Sequence, residues 1–143
     1  MDAGRVTMES LIGAGEFGMV RRATLRSADG GSSRAVAVKT LTVRASAEAQ
    51  AQQLLEAHLM CTLAHGHIVE LLGIIQTSTG PGLVLELMEL GDLRSVLKRS
   101  HPDKTQRLAE LGEEEFAGMG QQVLSALEHL HKKGVVHRDI AAR

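Results

Sequence analysis

Aromatic side chains are almost missing from this chain: two Phe, no Tyr and no Trp in 143 residues. A core must therefore be packed from Leu, Val, Ile, Met and Ala, and the chain has no tyrosine of its own to be phosphorylated. A single cysteine, Cys61, excludes an internal disulfide and fits a reducing compartment. No apolar run reaches the roughly 18–20 residues of a membrane span, and no basic-then-apolar leader opens the chain, so it is expected to be soluble and not itself secreted. Nor is either charge in surplus: 16 basic and 17 acidic residues give a formal charge of -1, which makes no electrostatic case for nucleic acid or an anionic membrane. What is present is an apolar content of 43%, which argues against disorder in a chain long enough for one ordinary domain.

Glycine is not scarce, and its placement organises the sequence. Gly13-Ala14-Gly15-Glu16-Phe17-Gly18-Met19-Val20 holds three glycines whose missing Cβ atoms let backbone N–H groups approach a phosphate. A glycine-rich turn in a surface hairpin is the plain structural reading of the same residues. Residues 6–25 read as two extended segments around them, and Asp29-Gly30-Gly31-Ser32-Ser33 is a strong turn signal. Arg34 to Leu41 is a β-branched run, with Val36 and Val38 on one face and Ala37 and Lys39 on the other. Ser46 caps a helix reaching to about residue 63, on which Leu55, Leu59 and Leu63 share an apolar stripe with Glu56 beside it. The plain reading of Glu56 is a boundary residue with its head in water. Cys61, late in this helix, reads as a small core residue.

Ala64-His65-Gly66-His67 breaks the helix. Ile68 to Ile75 then reads as a buried strand, Thr77 to Gly82 as a turn containing Pro81, and Leu83 to Met88 as a further strand. Gly91 allows a change of direction, Asp92 caps a short helix over Leu93 to about Arg99, and residues 100–112 read as a loop. A longer helix spans Glu113 to Lys133, with Phe116, Met119, Val123, Leu127 and Leu130 at helical spacing, acids in its first turn, lysines in its last and Gly134 ending it. The histidine pairs His65/His67 and His129/His131 match no common zinc spacing and read as solvated or turn residues.

In order, the chain offers a glycine hairpin, a strand lysine, a helix glutamate, a strand leading to Gly91 and a terminal His137-Arg138-Asp139. These suit the holding of a nucleoside triphosphate. Glycine-loop amides would cover the phosphates, Lys39 would supply a point charge, and Glu56 would keep that lysine charged and fixed. Asp139 would accept a hydroxyl proton, a task that needs position more than basicity when the transition state is loose. A dinucleotide-binding βαβ unit also uses Gly-x-Gly-x-x-Gly, but it needs a helix directly after the glycines, where this sequence has a strand-like stretch.

Gly13-x-Gly15-x-x-Gly18-x-Val20, Val36-Ala37-Val38-Lys39 and His137-Arg138-Asp139-Ile140 resemble, in order, the signature stretches of a protein kinase domain. The resemblance covers about residues 6–143. Ala141-Ala142-Arg143 after the aspartate, and Glu86-Leu87-Met88-Glu89-Leu90-Gly91-Asp92-Leu93, are similar to the tyrosine kinases, particularly the receptor type. The implied fold is α+β. A twisted antiparallel sheet with one helix forms an N-lobe and hinge over 6–90, after a short N-terminal extension at 1–5. The first helices of an incomplete helical C-lobe follow over 91–143. The implied roles are Val20 and Ala37 above the adenine, Leu85 as gatekeeper, backbone groups of Glu86 and Met88 at the adenine edge, and Asp92 near the ribose. Phe17 would lie at the tip of the glycine loop, Lys39 on the α/β-phosphates paired with Glu56, Asp139 as catalytic base, and Arg138 against a phosphorylated activation loop. ATP, Mg²⁺ and a tyrosine-bearing protein substrate are the implied ligands, on the cytoplasmic side of a membrane receptor.

The sequence also departs from the family pattern. The metal-binding Asn, the Asp-Phe-Gly stretch and the activation loop do not occur in these residues. The expectation is therefore a front portion of a tyrosine kinase domain that is inactive by itself. The alternative is a non-catalytic, pseudokinase-like piece that binds nucleotide or a partner.

Overall fold

The computed structural model describes residues 1–15, 18–42, 45–94 and 112–141. After a 3₁₀ turn at Ala3–Arg5 come strands β1 (Val6–Gly15), β2 (Gly18–Arg26) and β3 (Ser33–Thr40), helix α1 (Ala47–Thr62), strands β4 (Leu71–Thr77) and β5 (Gly80–Glu86), and helix α2 (Glu113–Lys132). The strands form one antiparallel sheet in the order β1-β2-β3-β5-β4. This is the expected sheet with one helix, followed by a further helix. Two compact units are present: one of residues 1–64 and 69–87, the other of 65–68 and the residues from Met88 onward.

The first unit has its core on one face of the sheet. Ala23, Leu25, Val36, Val38, Ile75 and Val84 pack together, with Val6 and Leu72 against them. Period-two alternation puts Val36 and Val38 into this core and turns Ala37 and Lys39 to the opposite face, as the β3 sequence predicts. Among the described residues this cluster is made of aliphatic and small side chains, in keeping with the scarcity of aromatics.

Helix α1 starts where expected: the Ser46 hydroxyl accepts from the Ala49 N–H at 3.2 Å. Its buried side is the expected one only at its end, where Leu63 at the C-cap is buried. Leu55 is 58% exposed and Leu59 is exposed too, whereas Gln53 and Ala57 are buried. The helix has apolar residues all round, so spacing alone did not select a face. It meets β4 and β5, with Ala57 buried and Gln53 hydrogen-bonded to Pro81 of β5. Cys61, expected in the core, is exposed as well.

The β4–β5 hairpin also differs from expectation. Residues 68–70 are not strand: the Ile68 N–H donates to His65 O at 3.0 Å, which keeps this segment in the turn after α1, and β4 begins at Leu71. The expected Thr77–Gly82 turn contracts to Ser78-Thr79, and Gly80, Pro81 and Gly82 belong to β5. Pro81 is tolerated there because β3 last pairs at Thr40↔Gly82, so no strand on that side needs its missing N–H. Thr77 pins the turn: its Oγ1 donates to Gly80 O at 2.7 Å and accepts from the Thr79 N–H at 3.3 Å.

In the second unit, α2 begins at Gly112, whose N–H donates to Glu115 Oε2 at 3.0 Å. It ends as a Schellman motif: Gly134, at φ 72, donates to His131 O, and Val135 donates to Leu130 O, both at 2.9 Å. The expected helix over 93–99 beyond Arg94, and the loop over 100–111, lie outside the described residues.

Candidate functional site

The first unit assembles its site on β3 and α1. Lys39 Nζ donates to Glu56 Oε1 at 2.8 Å and to Oε2 at 2.7 Å, so both carboxylate oxygens hold one ammonium. The pair is half-shielded, with 24% of the Lys39 and 42% of the Glu56 side chain exposed. Glu56 is thus no simple surface residue. One turn earlier, Gln53 is only 3% exposed and donates from Nε2 to Pro81 O at 2.6 Å and to Lys39 O at 3.4 Å. Helix α1 therefore grips both the side chain and the backbone of Lys39. A cavity of about 400 Å³ adjoins the pair, lined also by Leu41, Thr42 and Ala49.

Strand register extends the Lys39 face. Val20 lies opposite Lys39, Leu85 opposite Ala37, and Gly13 opposite Val20. Residues directly opposite on antiparallel strands share a face, so Gly13, Val20, Ala37, Lys39 and Leu85 line the side away from the hydrophobic core. The backbone of Glu86 is half committed: its N–H donates to Glu70 O at 3.0 Å, while its side chain accepts from the Glu70 N–H at 2.8 Å.

The three glycines of the hairpin differ in what demands them. Gly18 has φ 133, and a Cβ there would lie 2.1 Å from Thr40 O, so the fold itself requires glycine. A Cβ on Gly13 would make ordinary contact with Val20 at 3.7 Å, and one on Gly15 would meet nothing within 4 Å. At those two positions the surrounding protein does not require glycine, so a hairpin turn alone does not explain them. Phe17 lies outside the described residues.

The second unit holds Met88, Asp92, Arg138 and Asp139. Met88 O accepts from the Gly91 N–H at 3.0 Å, and Gly91 has φ 77, the sharp turn its sequence suggested. Asp139 donates its N–H to His137 Nδ1 at 3.2 Å. Between them Arg138 has φ 66, the one left-handed value of a non-glycine residue among those described. Such backbone costs about 1–3 kcal/mol and persists only where surrounding structure holds it.

Two features had no sequence signal. Gln53 reads as a surface helix residue until its bonds to Pro81 and Lys39 are seen. His67 is an exposed turn residue and His131 is exposed, but His65 and His129 are not simply solvated: their rings stack with centroids 5.0 Å apart, and His65 Nε2 lies 3.3 Å from Ser125 Oγ. His65 Nδ1 accepts from the His67 N–H at 3.2 Å.

With this geometry in hand, the comparisons with known proteins give a family. The family model described as protein tyrosine and serine/threonine kinase matches residues 6–143. The tyrosine-protein kinase transforming protein ros of UR2 avian sarcoma virus is 36% identical over 141 residues, covering 97% of this chain and 35% of the relative. The proto-oncogene tyrosine-protein kinase ROS of Gallus gallus is likewise 36% identical over 141 residues, 97% of this chain but 6% of the relative. The insulin receptor of Xenopus laevis is 33% identical over 135 residues, 92% of this chain and 10% of the relative. The chain belongs to the protein kinase family, with tyrosine kinases as its relatives, and spans about a third or less of the length of each.

Proposed function

We propose that the chain is the ATP-binding front portion of a protein tyrosine kinase domain, whose intact form transfers the γ-phosphoryl group of ATP to a protein tyrosine. The observation that carries this reading is the Lys39–Glu56 pair, held through both carboxylate oxygens on the sheet face shared with Val20, Ala37 and Leu85. Aliphatic side chains on that face suit a purine ring, and a fixed ammonium suits the α/β-phosphates. Gly13 and Gly15, where no Cβ is sterically forbidden, would let the hairpin backbone close over the phosphates, with Gly18 shaping the turn. Glu86 N–H and Met88 O are already bonded, and the Glu86 carbonyl and the Met88 N–H are assigned to the adenine edge. Asp92 is assigned to the ribose and Arg138 to a phosphorylated activation loop. Asp139 is assigned the proton of the attacking tyrosine hydroxyl, its backbone set by the strained Arg138 and the bond to His137.

ATP in such sites carries Mg²⁺, which neutralises charge developing on the phosphates. Among the described residues no three His, Cys, Asp or Glu side chains converge as metal ligands, so these residues do not by themselves make that site. The chain alone is accordingly expected to bind nucleotide weakly and not to transfer phosphate. The receptor relatives support a position on the cytoplasmic side of a membrane receptor. No helix among the described residues is long and apolar enough to cross a membrane.

Titration of the chain with a fluorescent ATP analogue, with and without Mg²⁺, tests the reading. Lys39→Met is expected to weaken binding about tenfold or more through loss of a charge-assisted contact, while Asp139→Asn leaves it unchanged. Equal affinity in wild type and Lys39→Met overturns the assignment. The lack of such a ligand cluster among the described residues equally fits a non-catalytic, partner-binding piece. Nucleotide affinity that rises with Mg²⁺ counts against that alternative.

A further inference from the structure

We propose that the turn joining β2 to β3 carries a binding site for a phosphate-type dianion, held by Arg5 and Arg34. A cavity of about 380 Å³ opens there, lined by Arg5, Leu25, Ser27, Ser32, Ser33 and Arg34. The two arginines come from separate parts of the chain and line the same cavity. Arg5 Nε donates to Arg26 O at 3.0 Å, which fixes its guanidinium against the end of β2. Arg26 is register partner of Ser33, and Leu25 is register partner of Arg34, so Arg34 follows the residue opposite Arg5's anchor, and both arginines line the one cavity. Arg5 spends its Nε on that carbonyl and keeps its terminal nitrogens, a planar fork suited to phosphate oxygens. The Ser32 and Ser33 hydroxyls supply further short-range donors at the rim.

The charge balance favours an anion. Among the described residues Arg22 pairs with Glu9, Lys39 with Glu56 and Lys132 with Glu128, but neither Arg5 nor Arg34 makes an ion pair. The nearby carboxylate is Asp29, and it is already engaged. The Ser27 hydroxyl and the Gly31 N–H hold its carboxyl below the usual range, with a smaller pull from Arg5. One carboxylate against two guanidiniums leaves the pocket net positive. Arg34 and Lys39 are five residues apart on β3, about 17 Å at strand spacing, so phosphates held at Lys39 do not reach this pocket. The site does not depend on the nucleotide reading above.

The same chemistry would be met by a free phosphate or by a phosphorylated side chain, and one experiment separates them. Hydrogen exchange of the 27–34 turn in the full chain is followed at micromolar protein during titration with inorganic phosphate and, separately, with O-phosphoserine, ionic strength being held constant with chloride. Saturable slowing confined to this turn is expected. The midpoint should move about tenfold higher in Arg34→Gln, the cost of a lost charge-assisted fork, and Asp29→Asn should move it lower. A lower midpoint for O-phosphoserine assigns the site to a phosphorylated side chain, and equal midpoints assign it to the free ion. Arg5→Gln also removes the brace on Arg26, so Arg34→Gln, which leaves that brace intact, is the deciding variant. Slowing that never saturates, or that is the same in Arg34→Gln, overturns the proposal.

Discussion

At the level of single residues, the hairpin glycines separate what folding needs from what a ligand would need. Gly18 combines a left-handed φ with a carbonyl at 2.1 Å from any added Cβ, and Gly15 has neither constraint. Gly18→Ala should therefore cost at least about 2 kcal/mol of stability, from strain and the forced shift of Thr40. Gly15→Ala should stay within about 0.5 kcal/mol of wild type. Urea unfolding at constant m value reads both, and equal losses would mean that the hairpin needs Gly15 as much as Gly18. The residues that carry the site were legible for an ordinary reason: glycine spacing, a lone lysine in a β-branched strand and a glutamate on a helix stand out against their neighbours. Gln53 and the left-handed Arg138 were not legible, because neither a helix glutamine nor an arginine after histidine announces its backbone or its partners.

Among the elements, α1 is the one whose placement the sequence left open. Its leucines at 55, 59 and 63 made an obvious stripe, yet only Leu63 at the C-cap is buried, and along the helix that meets β4 and β5 the fully buried apolar residue is Ala57. A small residue there lets the backbone come close enough for Gln53 to reach Pro81 O and for Glu56 to hold Lys39. Ala57→Leu is expected to lose about 1–3 kcal/mol by overpacking that contact. Leu55→Gln is expected to stay within about 0.5 kcal/mol because its side chain already meets solvent. Thermal melts of the two variants check the assignment, and the reverse order would restore the leucine face as the buried one. Strand β3 was read correctly because a period of two has only two faces to choose between. Helix α1 was not, because its apolar residues lie on every side. The β4–β5 turn was overestimated for a different reason: proline and glycine are turn signals wherever they occur, and here Pro81 sits at a strand start whose neighbour has already ended.

For the molecule as a whole, order along the chain carried the family assignment more than any single motif did. A glycine hairpin, Lys39, Glu56 and Asp139 occur in one succession, and the fold gives the first three a common setting on one sheet and one helix. The second unit has a different balance. Val123 and Leu124 on α2, and Val136 and Ile140 beyond it, are large aliphatics with exposures between 47% and 70%. In a chain whose formal charge is only -1, little long-range repulsion opposes contact between two such surfaces. The chain is therefore expected to self-associate as its concentration rises, through the second unit. Leu124→Lys, at 66% exposure, removes the apolar contribution of one of these residues and adds a charge without touching the core. Sedimentation velocity should show association in wild type that is reduced in Leu124→Lys, with both proteins melting at similar temperatures. A wild-type chain that stays a cooperatively melting monomer across the same concentrations would mean that these side chains cover one another in solution.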